Sequence, residues 1–245
     1  MNKALLVTSF GTSYDEARRT CIAPVERALA AAFPERAFAR AFTSRFIVRK
    51  LRARGEDILN EAEALEQLRV AGCDDILVAP THLIPGEEYE KLLAAAAGCK
   101  VARPLLDTEA DLARMAALLG DIVRQEGRPL VMMGHGTDHA ADDTYLRLRE
   151  KLPGNVFLAC VEGSHSLEEI LPALERLPER KLAIMPLMLV AGDHAHNDLA
   201  GDGPDSWKSI LESRGFEVYP RLQGLGALEG IQEMFVEKAR RAVSY

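Results

Sequence analysis

Two histidines and a glutamate sit where chain reversals could bring them into use. In Met133-Gly134-His135-Gly136, His135 lies between two glycines directly after an apolar run. In Met185 to Asp198, MPLMLVAGDHAHND, an apolar run stops at Gly192 and delivers Asp193, His194, His196, Asn197 and Asp198. Glu162 follows the apolar Phe157 to Val161 and precedes Gly163. Two imidazoles and a carboxylate form a nitrogen and oxygen ligand set suited to Co, Ni, Fe, Zn or Cu, and the same groups can move protons near neutral pH. Ligand chemistry alone does not choose among those metals.

The elements that must position these residues read as strand and helix in alternation. Ala4 to Thr8 predicts a strand, Tyr14 to Phe33 a helix, Phe38 to Thr43 a strand, Arg45 to Arg54 a basic helical stretch and Glu61 to Ala71 another helix. Asp75 to Ala79 is a third strand, Tyr89 to Ala97 a helix, Val101 to Leu105 a short strand and Thr108 to Gln125 a helix. The pattern then restarts with strands at Leu130 to Met133, Phe157 to Val161 and Leu182 to Ala191. The last of these, too short for a membrane span, reads as a buried parallel strand ending in a loop. Alternation of this kind predicts a doubly wound α/β fold.

The restart is a repeat. Ser9-Phe10-Gly11-Thr12-Ser13 lies on Gly134-His135-Gly136-Thr137-Asp138, Phe38 to Phe42 on Phe157 to Val161, and Ile76 to Tyr89 on Leu182 to Ala195 without gaps. The expectation is two similar Rossmann-like halves, 1–126 and 127–245, with the boundary near Gly127 and Pro129. Where the first half has Phe10, Thr43 and Glu88, the second has His135, Glu162 and His194. All C-terminal strand ends of a parallel sheet share one edge, so three such residues can converge there. The first half then supplies a wall, with Phe10 and the polar loop Ser9 to Ser13.

Composition narrows the classes of function. The chain has 245 residues, 48% hydrophobic and 27% charged, with a formal net charge of -7. An acidic balance argues against nucleic acid as a partner. No run of 18 uncharged apolar residues and no cleavage pattern after the first strand predict a cytoplasmic protein that does not engage a membrane. The four cysteines, Cys21, Cys73, Cys99 and Cys160, form no CxxC pair, so buried reduced thiols are expected.

Other residues carry weaker signals. The glycines flanking His135 would let a large ligand approach the backbone. Arg45, at a strand end, could meet carboxylates of an anionic substrate, whereas Arg49, Lys50, Arg52 and Arg54 read as a solvated helix face. On an extended segment His194 and His196 would share a side. His82 aligns with Met188 and reads as structural or cavity-lining; His139 and His165 stay open.

SFGTS at the amino terminus, RAFTSRFIVRKL at Arg40 to Leu51, HLIPGEEYEK at His82 to Lys91, MGHG at Met133 to Gly136, MPLMLVAGDHAHND at Met185 to Asp198 and Arg221 to Gly226 together resemble the anaerobic-type sirohydrochlorin cobaltochelatases, class II chelatases of the cobalamin pathway. The resemblance spans nearly the whole chain. It implies two Rossmann-like halves related by a pseudo-twofold, with the tetrapyrrole in the cleft between them. It places the active-site histidines on His135 and His194 and the metal-binding glutamate on Glu162. Substrate contacts are then expected from Ser9, Phe10, Gly11, Thr12, Arg45, Gly134 and Gly136. Co2+ is the implied substrate metal, with Fe2+ or Ni2+ as alternatives, no organic cofactor is required, and a homo-oligomer is expected. His196 stands where the family more commonly has isoleucine. A ferrochelatase making sirohaem, a nickel-inserting relative, and a metal or tetrapyrrole carrier without turnover are the competing readings.

Overall fold

The computed structural model describes residues 2–245. The strands are β1 (Asn2–Ser9), β2 (Ala37–Phe42), β3 (Cys73–Pro80), β4 (Lys100–Val101), β5 (Leu130–Gly134), β6 (Val156–Cys160), β7 (Lys181–Pro186), β8 (Glu217–Pro220) and β9 (Val243–Ser244). They form two sheets, one in the order β2-β1-β3-β4-β9 and the other β6-β5-β7-β8. All pairings are parallel except β4 with β9. The α/β class and the two parallel sheets follow the sequence expectation. Each sheet is buried on its strands: Ala4, Leu6, Val78 and Val101 pack with Leu65 and Leu92 in one core. Val131, Met133, Leu182 and Ile184 pack with Ile170, Leu171 and Leu174 in the other.

The compact units are not divided at 126/127. One unit holds the chain up to Asp107 together with Gly226–Tyr245, and the other is Thr108–Leu225. The helix Glu109–Glu126 belongs to the second unit because it packs on the helix Asp143–Arg149 and on β6. Thr108 opens it with a capping box, its hydroxyl accepting from the Asp111 amide while Asp111 accepts from the Thr108 amide. Gly127 and Pro129 therefore mark the end of a helix inside a unit. At the other end, the helix Glu229–Arg240 returns to pack on the helix Ala23–Ala32 and on β3, and β9 extends the first sheet beside β4.

The repeat is visible bond by bond. Thr81 N donates to Thr8 O at 2.8 Å and Leu187 N to Met133 O at 2.7 Å. Ala102 N donates to Val78 O at 2.9 Å, and Arg221 N to Ile184 O at 2.8 Å. Thr43 N and Ser44 N donate to Ser9 O and Phe10 O, as Val161 N and Glu162 N do to Gly134 O and His135 O. This last set corrects the sequence register by one residue: the counterpart of Glu162 is Ser44, not Thr43. Ser44 caps the helix Arg45–Arg52 by accepting from the Ile47 amide.

Two strands are shorter than expected. β7 stops at Pro186 rather than Ala191, because β5 ends at Gly134 on one side and β8 pairs only as far as Ile184 on the other. β4 is confined to Lys100 and Val101, since the Leu105 and Leu106 amides turn to the carbonyls of His82 and Leu83. Among the described residues no helix is long and apolar enough to cross a membrane.

Candidate functional site

In the order β6-β5-β7-β8 the chain leaves β5 toward β6 on one side and crosses to β7 on the other. That reversal opens a crevice beyond the C-terminal strand ends, where open α/β sheets bind ligands. His135 follows β5, Glu162 follows β6, and His194 lies in the turn after β7. The structure brings them together. The rings of His135 and His194 meet edge to face, 4.8 Å between centroids and 88° between planes. His135 Nδ1 lies 3.8 Å from Glu162 Oε2, near but beyond hydrogen-bond distance.

Both imidazoles have one nitrogen engaged. His135 Nδ1 is 2.9 Å from the Gly136 carbonyl, and His194 Nδ1 is 2.6 Å from Asp198 Oδ2. A carbonyl and an ionised carboxylate only accept, so each contact assigns the proton to Nδ1 and leaves the Nε2 lone pair of the neutral ring free. A histidine oriented in this way is prepared to ligate a cation or take a proton through Nε2. The side chains of His135 and Glu162 are 47% and 59% exposed, so they can reorient toward an arriving ion. Among the described residues no three His, Cys, Asp or Glu side chains already form a metal cage.

Asp198 was part of the sequence motif but had no role assigned, and its position depends on helical geometry. Asp193 and His194 begin a helical turn that continues as a π-helix over Ala195–Leu199. Four residues along such a turn bring side chains to one face. The turn is held by Ala195 and Leu199, both with 0% exposure. An extended segment would have put His196 beside His194; the helical turn instead sends it to a different, exposed side.

At Gly134 and Gly136 the protein's own packing leaves no room for a side chain. Both are buried. A Cβ on Gly134 would stand 2.9 Å from Cys160 Sγ and from Tyr145 Cε1, and one on Gly136 would stand 1.8 Å from the Glu162 carbonyl oxygen. The space at both is taken by the protein itself. Gly136, at φ +80°, lets the His135 and Glu162 loops touch.

In the first unit the expected contact residues divide. Phe10 is 51% exposed at the C-terminal edge of β1. Ser9 is buried, its hydroxyl accepting from Thr81 Oγ1 at 2.8 Å, and buried Thr12 accepts from the Tyr14 amide at 3.2 Å. Gly11, at φ +94°, is pressed against the Phe42 ring. Arg45 directs both terminal nitrogens to the buried Glu61 carboxylate, at 2.6 and 3.2 Å.

The remaining histidines fall outside this cluster. His139 caps a short 3-10 turn by accepting from the Ala141 amide, and His165 lies 3.7 Å from Asp142. His82 has its Nδ1 sealed from solvent without a hydrogen-bond partner, and its Nε2 is 3.5 Å from Thr43 Oγ1. Burial pushes the imidazole from its ordinary 6.5 down to about 4, against a smaller opposing effect of Glu88. The folded protein thus binds the proton less readily than the unfolded chain. Its contribution is fully present above pH 6.5 and is lost as pH falls from there toward 4. His82→Met, which copies the counterpart residue Met188, is expected to flatten the fall of melting temperature over that interval. Equal acid sensitivity in the two proteins would remove His82 as its source.

The family model described as Cobalt chelatase (CbiK) matches residues 3–244. The chain is 37% identical to the Sirohydrochlorin cobaltochelatase of Salmonella typhimurium, covering 100% of this chain and 97% of the relative. It is 32% identical to Sirohydrochlorin cobaltochelatase CbiKC of Nitratidesulfovibrio vulgaris, over 99% of this chain and 91% of that one. Among solved structures, SirB from Bacillus subtilis with Fe3+ superposes with a TM-score of 0.63 at 16% identity, over 98% of this chain and 95% of the other. At that identity the likeness concerns the fold. A family model spanning almost every residue, with two relatives matched along their length, shows that the chain belongs to the cobalt chelatase family.

Proposed function

We propose that this protein is a sirohydrochlorin cobaltochelatase, inserting Co2+ into sirohydrochlorin for cobalamin biosynthesis. The observation that carries the reading is the meeting of His135 and His194 at 4.8 Å beside Glu162, at the switch point of the second sheet, in a chain of this family. Metal insertion asks a hydrated divalent ion to shed water while the macrocycle loses two pyrrolic protons. Neutral Nε2 atoms and a mobile carboxylate supply weak, exchangeable ligands and proton acceptors in one place. Weak coordination suits a cation that is substrate and must leave. His135 and His194 hold the ion, Glu162 contributes charge and a proton acceptor, and Asp198 keeps the His194 ring turned toward its task.

For the tetrapyrrole, exposed Phe10 offers an apolar face and Arg45 a cation for a substrate carboxylate. Arg45→Ala is expected to raise the KM for sirohydrochlorin. It also strips the buried Glu61 of its partner, at a stability cost of about 1 kcal/mol for a pair with one exposed member. A lower melting temperature with an unchanged KM would assign Arg45 to Glu61 alone.

The experiment that tests the function is a visible-absorbance time course of sirohydrochlorin with purified protein and Co2+, repeated with Fe2+ and Ni2+, against the uncatalysed rates. Acceleration with Co2+ supports the chelatase. Faster insertion of Fe2+ or Ni2+ reassigns the metal. Tight cation binding without acceleration by any metal would make the protein a carrier.

A further inference from the structure

Beneath the His135 and Glu162 loops lies a carboxylate that the proposed chemistry does not use. Asp142 is 7% exposed. Its Oδ1 accepts from the Thr137 amide and its Oδ2 from the Ser164 amide, each at 3.1 Å. Thr137 is two residues past His135, and Ser164 is two residues past Glu162. A single buried side chain thus joins the two loops that present the cation-binding groups. Burying a carboxylate is costly unless its oxygens are satisfied, so this geometry holds both amides in place as well as the acid.

Three further contacts make the joint specific. A Cβ on Gly163 would stand 2.8 Å from Asp142 Oδ1 and 2.9 Å from Oδ2, so the Glu162 loop can close over Asp142 only with glycine there. The Glu162 amide donates to the His135 carbonyl at 2.8 Å. His165 Nε2, 3.7 Å from Oδ2, flanks the carboxylate on its remaining side.

The first unit provides an internal control. With Gly11 over Gly136, the helical segments after the two loops begin at Asp15 and Ala140, and Ala17 falls at the place of Asp142. Ala17 is buried and has no side chain capable of joining two loops. The copy with Phe10 and Ser44 lacks the acid; the copy with His135 and Glu162 has it.

We propose that Asp142 is a positioning residue that sets the separation of His135 and Glu162 for capture of the divalent cation. The proposal rests on the reading of these two residues as cation-binding groups. Asp142 does not touch the ion or the macrocycle. Its two oxygens accept from two loops at once, which neither alanine nor asparagine can reproduce: alanine frees both amides, and asparagine turns its own N–H2 toward one of them.

The test compares the parent with Asp142→Ala and Asp142→Asn. Co2+ binding to the protein alone is measured by calorimetric titration, sirohydrochlorin binding by fluorescence, and insertion by absorbance. Outer-shell partners of metal ligands typically carry about 10–100-fold in affinity or rate. Asp142→Ala is expected to weaken Co2+ binding, and to raise the KM for Co2+, by a factor in that range. Sirohydrochlorin affinity should stay within about twofold, and Asp142→Asn should fall between alanine and parent. If Asp142→Ala does not fold, the Asp142→Asn comparison decides alone, because it keeps the side-chain volume. Parent-like Co2+ binding in a folded variant overturns the proposal, and so does a loss of sirohydrochlorin binding with Co2+ binding intact. A parent that binds Co2+ but inserts none would sink the chelatase function, while the Co2+ titrations would still decide the role of Asp142.

Discussion

His194→Ala is expected to lower cobalt insertion by about 10²–10⁴-fold, the range associated with a positioned proton-transfer group, while leaving the second core intact. The side chain is partly exposed, so its loss falls outside that core. What disappears is the Nε2 lone pair, together with the group that Asp198 orients. His135→Ala should show a loss of similar size, since its ring faces that of His194 at 4.8 Å. If the two rings act on one ion, the double variant will lose little more than either single one, because groups working as a unit are strongly non-additive. Circular dichroism and the melting temperature establish folding, and initial rates with Co2+ give the effect. Parent-like rates in both single variants would move the reactive centre elsewhere in the chain.

Gly136→Ala is the substitution expected to harm the fold most. Its φ of +80° costs an ordinary residue about 1–2 kcal/mol. The new Cβ would also be driven to 1.8 Å from the Glu162 carbonyl oxygen, a backbone atom that can yield only by pulling the two loops apart. Separating them forfeits the 2.8 Å bond between the Glu162 amide and the His135 carbonyl, a further loss of about 1 kcal/mol. A total of about 2–3 kcal/mol corresponds to a drop of roughly 4–12 °C in melting temperature for a protein of this size. Gly127→Ala is the control, because Gly127 has φ +67° but no atom within 4 Å of a Cβ placed on it. It should cost only the backbone share. Equal melting temperatures for the two variants would contradict the crowding argument.

What the sequence revealed was what periodicity and repetition encode. The apolar runs ended where the strands end to within a few residues, and the gapless match of Ile76 to Tyr89 with Leu182 to Ala195 was realised as corresponding backbone bonds at Thr81 and Leu187 and at Ala102 and Arg221. The proximity of His135, Glu162 and His194 followed from the shared edge of a parallel sheet. The misplaced features depend on partners that local sequence does not name. β7 stops at Pro186 because its neighbours stop, although the apolar character continues to Ala191. Glu162 pairs with Ser44 rather than Thr43 because pairing with β1 and β5, not the apolar boundary, fixes the register. Gly127 and Pro129 were strong punctuation, yet the units part at Thr108, where the signal was a capping box. The helical turn joining His194 to Asp198 was hidden because a short polar stretch after glycine reads as loop until Ala195 and Leu199 are seen buried.

The return of the last residues to the first unit also dictates an order of events during synthesis. The ribosome releases the first unit's early segments before those of the second, and by Leu225 the second unit has every segment it needs. The first unit, begun earlier, still lacks the helix Glu229–Arg240 and the edge strand at Val243–Ser244. The half begun first is therefore finished after the second, and until the helix Glu229–Arg240 is made the apolar side of Ala23–Ala32 lacks its cover.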